Sequence, residues 1–194
     1  MKSKKNLIIG IIAGIAVLFG IFSYNGLVDK QETVDKQWAN VQNAYQRRAD
    51  LIPNLVSTVK GYANHEEQTL IGVVEQRAKA TQMTIDPANL TPEKLKEYQA
   101  AQGELSSALG KLMMIRENYP DLKANTNFLQ LQDELAGTEN RINVERNKFN
   151  EVAKTYNTEI RKFPKNIIAG FGGFTQKAYF EADQASQAAP QVQF

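Results

Sequence analysis

Residues 128–163 read FLQLQDELAGTENRINVERNKFNEVAKTYNTEIRKF, and most of the architecture can be inferred from them. Side chains at alternating steps of three and four form one largely apolar series. Because an α-helix completes a turn in about 3.6 residues, this spacing returns every member to a single stripe. A long helix from about residue 121 to 163, roughly 60 Å in length, is therefore predicted. The stripe comprises Phe128, Leu131, Leu135, Thr138, Ile142, Glu145, Phe149, Val152, Tyr156, Glu159 and Phe163.

Two earlier stretches repeat this spacing, and a shorter apolar stretch between them surrounds Leu70, Val73, Val74 and Arg77. Prolines 87, 92, 120 and 164 separate the stretches, and no alternating strand pattern occurs. An all-α domain over residues 25–163, an antiparallel up-and-down four-helix bundle, is predicted. An intermolecular coiled coil is the alternative, which the short links disfavour. The two stripes are Val34, Trp38, Val41, Tyr45, Arg48, Ile52, Leu55, Val59 and Tyr62, then Leu95, Tyr98, Gln102, Leu105, Leu109, Leu112 and Arg116.

Pro53 interrupts the first of these stretches. The apolar phase continues across it, which favours a kinked helix. Proline costs about 3 kcal/mol inside a helix, however, and Asp50 could cap a new one. The sequence leaves open whether the helix breaks at this proline.

The sequence of the N-terminal residues indicates a membrane anchor. After a short basic tail (residues 1–6), residues 7–22 read LIIGIIAGIAVLFGIF, without a polar side chain. Extended to residue 24, this helix would span about 28 Å, close to the ~30 Å of a bilayer core. A cleaved signal peptide is the alternative, but residues 20–25 contain no Ala-x-Ala-like site. A transmembrane helix over residues 7–24 is predicted.

The flanking charges predict an orientation for this anchor. Lys2, Lys4 and Lys5 precede the helix, and two lysines, Lys30 and Lys36, follow within fifteen residues. The positive-inside rule places the N-terminus in the cytoplasm and the bundle outside it. Gly10 and Gly14 form a G-x-x-x-G pair that could pack two such helices into a homo-oligomer, although glycine is also common in single membrane helices.

Polar residues occupy four positions of the apolar stripes: Arg48, Gln102, Thr138 and Glu145. Charged side chains are rarely buried unless paired. In an up-and-down bundle, Arg48 and Glu145 would differ in height by about 9 Å, within the uncertainty of the helix ends. We therefore expect an Arg48–Glu145 pair that sets helix register. The alternative is that both lie at the stripe's edge and reach water.

The residue inventory excludes most chemistry. The chain has no cysteine and one histidine, His65, expected in a solvent-facing turn. A net charge of +2 gives no reason to expect a nucleic-acid partner. Phosphate-binding loops and hydrolase motifs are absent from the sequence, and a carboxylate-only metal site has no acidic cluster to support it. We expect no enzymatic activity, no cofactor and no catalytic, cofactor-binding or metal-binding residues.

The C-terminal segment, residues 164–183, is rich in glycine and aromatic residues. An antiparallel last helix would return it to the membrane surface, where Phe163, Phe171 and Phe174 would suit the lipid interface. Closure of the base of the bundle core is the alternative. The small, polar residues 184–194 are expected to be disordered.

Several stretches resemble the LemA family. They are YNGLV (24–28), RRADLIPNLV (47–56), VKGYANHE (59–66), YPDLKAN (119–125), FLQLQDEL (128–135) and TENRI (138–142). The resemblance covers residues 24 to about 180. It implies a membrane-anchored four-helix bundle of the kind found in bacterial membrane proteins, with no established biochemical activity and no catalytic residues.

These inferences together predict a single-pass protein of the bacterial cytoplasmic membrane that presents a rigid bundle outside the cytoplasm. A scaffold or adaptor for other envelope proteins is the function expected first. A binder of lipid or of a small apolar ligand within the bundle is the alternative. The identity of the protein partner cannot be read from the sequence.

Overall fold

The computed structural model describes residues 2–181 of the chain, and within that range it contains helices and no strand. The prediction of an all-α protein is thus confirmed. The predicted disordered tail, residues 184–194, lies outside the described residues. The helices are α1 (Lys2–Tyr62), α2 (Glu67–Gln82), α3 (Pro92–Ile115), α4 (Pro120–Lys123), α5 (Thr126–Arg161) and α6 (Lys165–Gly172), with single 3₁₀ turns at Pro87–Asn89 and Arg116–Asn118.

Helix α1 joins the predicted anchor and the first helix of the domain without a break. Its 61 residues span about 90 Å. The large apolar side chains from Leu7 to Phe22 are exposed, in contrast to those of a soluble protein's core helix. By length and composition this part of α1 is able to cross a membrane. The boundary predicted after residue 24 therefore falls within one continuous helix.

Pro53 lies inside α1, and the helix continues through it. Proline lacks a backbone N–H, so the carbonyl of Ala49, four residues earlier, loses its partner in the helix. The Nε of Arg77 in α2 donates to that carbonyl at 2.7 Å. A side chain from the neighbouring helix thus replaces the bond that the proline removes, and the same bond attaches α2 to α1.

The predicted apolar stripes form the core. Most of their residues are buried, and Tyr62 and Phe163, at the ends of two stripes, are exposed. The half-buried members are Arg116, Leu131, Val152 and Glu159. Helix α5 runs antiparallel along α1, while α2 packs against both α1 and α3. Within the described residues, α3 and α5 do not pack closely against each other. The core lies in two adjoining clusters, one around Trp38 and the other around Leu55 and Leu112.

The extended segment that follows α6 closes the end of the core around Trp38. Asn157 of α5 donates to the carbonyl of Lys177 and accepts from its amide, both at 2.8 Å. Asn150 binds the backbone of Phe180 in the same two-way manner, at 2.9 and 2.8 Å. Seven helical residues and three extended residues both cover about 10 Å, so the two asparagines match the segment's spacing. The segment inserts Phe180 into the core, where its ring stacks on Trp38.

The bond to the Ala49 carbonyl can be tested by a double-mutant cycle. We expect Arg77→Met to lower the free energy of unfolding by about 1–2 kcal/mol, because a carbonyl without a helical partner then also loses its side-chain donor. In a Pro53→Ala background, the restored amide can bind Ala49, and the same substitution is expected to cost much less. Chemical denaturation measures both values.

Lys79→Met, at an exposed position of the same helix, serves as the matched control and is expected to change stability little. An equal cost of Arg77→Met in both backgrounds would contradict this account of Pro53.

Candidate functional site

Arg48 of α1 lies at the centre of a buried polar network. Only 1% of its side chain is exposed. One terminal nitrogen, Nη1, donates to Ser106 Oγ at 2.6 Å and to Glu139 Oε1 at 2.7 Å. The other, Nη2, donates to the side-chain and backbone oxygens of Gln102 at 2.6 and 3.1 Å. The guanidinium also lies over the Tyr45 ring, 5.2 Å from its centroid. One cation therefore connects α1 with α3 and with α5.

Gln102 extends this network to the remaining long helix. Its Nε2 donates to the backbone carbonyl of Ala80, near the end of α2, at 3.3 Å. Its Oε1 accepts from Arg48. A buried amide with both ends bonded costs little to bury. Through these two residues, α1, α2, α3 and α5 meet at one level of the domain.

The predicted Arg48–Glu145 pair is wrong, because Arg48 pairs with Glu139. Glu139 precedes Glu145 by six residues, or about 9 Å along α5. This distance equals the difference in height predicted between Arg48 and Glu145, so Glu139 lies at the height of Arg48. Glu145 instead accepts from Gln37 at 2.7 Å and pairs with Lys148 at 3.2 Å. These contacts lower the pKa of Glu145, with the Gln37 bond as the largest cause.

Glu139 was missed because it lies beside the apolar stripe of α5. It follows Thr138, a small polar stripe residue that is itself buried. From that edge position its carboxylate reaches Arg48 while 39% of the side chain stays exposed. Matching heights across the two antiparallel helices is the signal that favours Glu139 over Glu145. The alternative, that Arg48 and Glu145 lie at the stripe's edge and reach water, also fails, since both are buried.

A groove of about 950 Å³ opens between α3 and α5, above the Arg48 network. Small residues line the α3 wall, and apolar side chains from both helices line the interior. At one end, the carbonyl of Glu181 accepts from Gln99 of α3 at 3.2 Å and from Arg146 of α5 at 2.8 Å. The lining includes Gly103, Ser106, Ser107, Leu109, Gly110 and Met113 from α3, and Gln132, Leu135, Ala136, Ile142, Asn143 and Arg146 from α5.

A second feature is the end of the domain next to the apolar part of α1. Phe163 and Phe171 are 81% and 91% exposed. Phe174 instead packs against the core and contacts Tyr24 edge-on, with ring centroids 5.4 Å apart. The three phenylalanines predicted to act together therefore face different surroundings, and the assignment of the outward two to a lipid interface stays a prediction.

Glu159 attaches α6 to the end of α5. Its carboxylate accepts from Lys162 at 2.8 Å and from Lys165, the first residue of α6. Hydrogen bonds from these two ammonium groups lower the pKa of Glu159 to about 2. The charged form of this carboxylate therefore stabilises the docked position of α6.

The remaining predicted site residues take no part in either feature. His65 is exposed in the turn between α1 and α2, as expected. Gly10 and Gly14 face open space, so their role in pairing membrane helices stays a prediction. Within residues 2–181, no group of three acidic or histidine side chains is arranged to hold a metal ion.

The geometry defines a class of protein: an all-helical domain continuous with an apolar N-terminal helix, with a buried arginine network beneath an open groove. Comparison with known families gives the particular one. A model of the LemA family matches residues 37–194, which is most of the chain. The chain belongs to the LemA family, and the resemblance noted in the sequence is confirmed.

Individual relatives agree with this assignment. The chain is 28% identical to magnetosome protein MamQ 2 of Paramagnetospirillum magneticum over 92% of its length and 71% of the relative's. It is 27% identical to protein LemA of Metamycoplasma hominis, over 93% of this chain and 84% of that protein. Magnetosome protein MamQ of Magnetospirillum gryphiswaldense is also 27% identical, over 92% and 71%. These similarities extend over nearly the whole chain.

The Arg48–Glu139 pair can be tested by thermodynamics. We expect Glu139→Gln to lower the free energy of unfolding by about 2 kcal/mol, because it removes the counter-charge of a buried cation. This value is below that for a fully enclosed pair, since water reaches the Glu139 carboxylate. Denaturant unfolding gives the measurement. Glu134→Gln, at an exposed position of the same helix, is the control; equal stability of the two variants would rule out the pair's structural role.

The lowered pKa of Glu159 predicts that the stability of the folded protein depends on pH. Its pKa in the folded protein lies below the ordinary value of 4.5, so its contribution is complete above pH 4.5 and is lost as the pH falls toward 2. We expect Glu159→Gln to remove part of the loss in thermal stability between pH 5 and about pH 2.5. The melting temperature at both pH values is the measurement. Glu151→Gln, at an exposed position on the same helix, should retain the full acid sensitivity.

Proposed function

We propose that this protein is a single-pass scaffold of the bacterial cytoplasmic membrane whose groove between α3 and α5 docks a helix of another envelope protein. In this proposal α1, α2, α3 and α5 form a four-helix bundle that is open on one side. The open groove above the Arg48 network is the observation that carries the proposal.

The surface of α1 supports the membrane part of the proposal. Exposing the large side chains of an apolar helix of this length to water is energetically unfavourable, whereas a lipid bilayer solvates them well. Residues 20–25 lack the Ala-x-Ala-like site of a cleaved signal peptide, which favours an apolar helix that is retained as an anchor. The excess of lysine before the helix favours a cytoplasmic N-terminus and a bundle outside the cytoplasm.

The dimensions of the groove suit a helix. Its walls extend from Gln99 to Met113 on α3 and from Gln132 to Arg146 on α5. Each wall is about 21 Å long, the length of a helix of about four turns. Gly103, Ser107 and Gly110 lie at helical spacing on the α3 wall, where small side chains permit close approach of a partner helix. Recognition of an amphipathic helix in such a groove is a common binding mode.

Lipid or small apolar ligand binding is the second candidate, and the same groove disfavours it. The lining includes the Arg48–Glu139 ion pair and several amide and guanidinium groups, which an acyl chain would desolvate without replacing their hydrogen bonds. A smaller pocket between α1, α2 and α3 has a volume of about 60 Å³, enough for a few water molecules. A partner helix can offer polar groups to the groove as well as apolar ones.

Site-specific photocrosslinking in intact cells tests the docking proposal. A photoreactive amino acid at Ser107, in the groove wall, is expected to yield defined crosslinked products. The same residue at Glu97, on α3 but outside the groove lining, is the control and should yield far fewer.

Blocking the groove sharpens this test. Gly110→Trp fills the groove and is expected to abolish the Ser107 products, because the bulky ring occupies the partner's space. Gly137→Trp, on α5 and facing open space outside the groove lining, should leave them unchanged. Products that form equally from Ser107 and Glu97, or that persist in Gly110→Trp, would contradict helix docking. Purification of the protein with bound lipid that is lost in Gly110→Trp would favour the second candidate.

A further inference from the structure

Helix α6 lies against the apolar part of α1, close to where the predicted membrane span ends. The Cδ1 atom of Ile168 is 3.8 Å from where a side-chain carbon at Gly20 would be. Two residues beyond α6, the ring of Phe174 contacts Tyr24. Both Gly20 and Tyr24 fall within residues 7–24, the length predicted to cross the bilayer. The position of α6 along α1 is therefore that of the membrane–water boundary.

The two sides of α6 differ in what they contact. Ala169 is buried against the domain, and Ile168 is partly covered by α1. On the other side, Phe163, Ile167 and Phe171 follow one another at intervals of four residues. They are 81%, 48% and 91% exposed. Residues four apart lie nearly above one another on a helix, so Ile167 and Phe171 share the exposed face of α6. Phe163 lies in the turn before α6 and adds a third exposed side chain; the three together are called the apolar row.

The surroundings of this row identify what covers it. Phe22 and the other apolar side chains of the span are exposed at the same level of α1, so α6 lies beside an apolar length of that helix. Lys162 and Lys165 lie beside the row, and because both pair with the single carboxylate of Glu159, the cluster keeps a net positive charge. Large apolar side chains next to lysines are the composition of helices that lie in a lipid interface, where the lysines meet anionic headgroups.

We propose that α6 is an interfacial membrane helix, with Phe163, Ile167 and Phe171 inserted into the bilayer leaflet from which α1 emerges. This goes beyond the scaffold function, because it assigns a second membrane-binding surface that does not involve the groove. Since α1 is a continuous helix, a second attachment beside it limits how far the domain can tilt on the membrane. The pair of bonds from Lys162 and Lys165 to Glu159 holds α6 in the position that this attachment needs.

Quenching of tryptophan fluorescence by brominated lipids tests the insertion. The full chain carrying Phe171→Trp is reconstituted into phosphatidylcholine–phosphatidylglycerol vesicles, with and without bromine on the upper part of the acyl chains. Val144→Trp, at a 49% exposed apolar position on α5 about 25 Å from the end of that helix at Arg161, is the matched control. The unsubstituted chain gives the background from Trp38, which is buried in the core.

After subtraction of that background, we expect brominated lipid to reduce the emission of the Phe171→Trp side chain by about half or more, as for a ring several ångströms below the headgroups. The emission of Val144→Trp should not change. Phe163→Trp is a second reporter on the same row and should behave like Phe171→Trp.

Emission from both Phe171→Trp and Phe163→Trp that is unaffected by bromine, with circular dichroism showing an intact fold, would overturn the proposal. Because the vesicles contain lipid and this protein alone, quenching cannot come from another protein that covers the row. The groove plays no part in the readout, so the outcome is independent of the crosslinking test of the scaffold function.

Discussion

The arrangement of the helices in this domain depends on the hydrogen-bond acceptors that the buried guanidinium of Arg48 requires. A guanidinium removed from water is strongly unfavourable unless acceptors surround it. Arg48 finds them on α3, in Ser106 and Gln102, and on α5, in Glu139. These bonds set the heights of three helices relative to one another, and Gln102 adds α2 through the Ala80 carbonyl. Apolar stripes alone would tolerate sliding by one helical turn, whereas the two terminal nitrogens of Arg48 reach all of these acceptors in one register.

The same network accounts for the shape of the groove. Arg48 bonds to α3 and to α5 from α1, which lies beneath both of them, so the two helices need not touch each other. Near the membrane end, the extended segment takes the place of a fourth helix, held by Asn150 and Asn157. The carbonyl of Glu181 then marks the end of the groove. What remains open is a four-turn length of groove in which Arg48 pairs with Glu139 and Arg146 donates to the carbonyl of Glu181.

The chain belongs to the LemA family and is similar in sequence to magnetosome proteins MamQ and to a mycoplasma LemA. The continuity of α1 is the feature that relates the domain to the apolar helix. A flexible linker would allow the domain to move independently, but an unbroken helix transmits the direction of its apolar part to the groove. Pro53 does not interrupt this continuity, because Arg77 supplies the hydrogen bond that the proline removes.

Periodicity within each helix was sufficient to predict the all-α class, the long helices, the apolar N-terminal helix and most of the core, since the spacing of apolar residues is a property of a single helix. It also identified Arg48, Gln102, Thr138 and Glu145 as polar residues of the stripes. Periodicity could not identify the partner of Arg48. That partner depends on the axial offset between α1 and α5, and the offset is determined by all the contacts between the helices together. The roles of Asn150 and Asn157 and the separation of α3 from α5 likewise came from the tertiary structure. Each of these features depends on how segments that are far apart in the sequence pack together, and a local sequence pattern does not specify that packing.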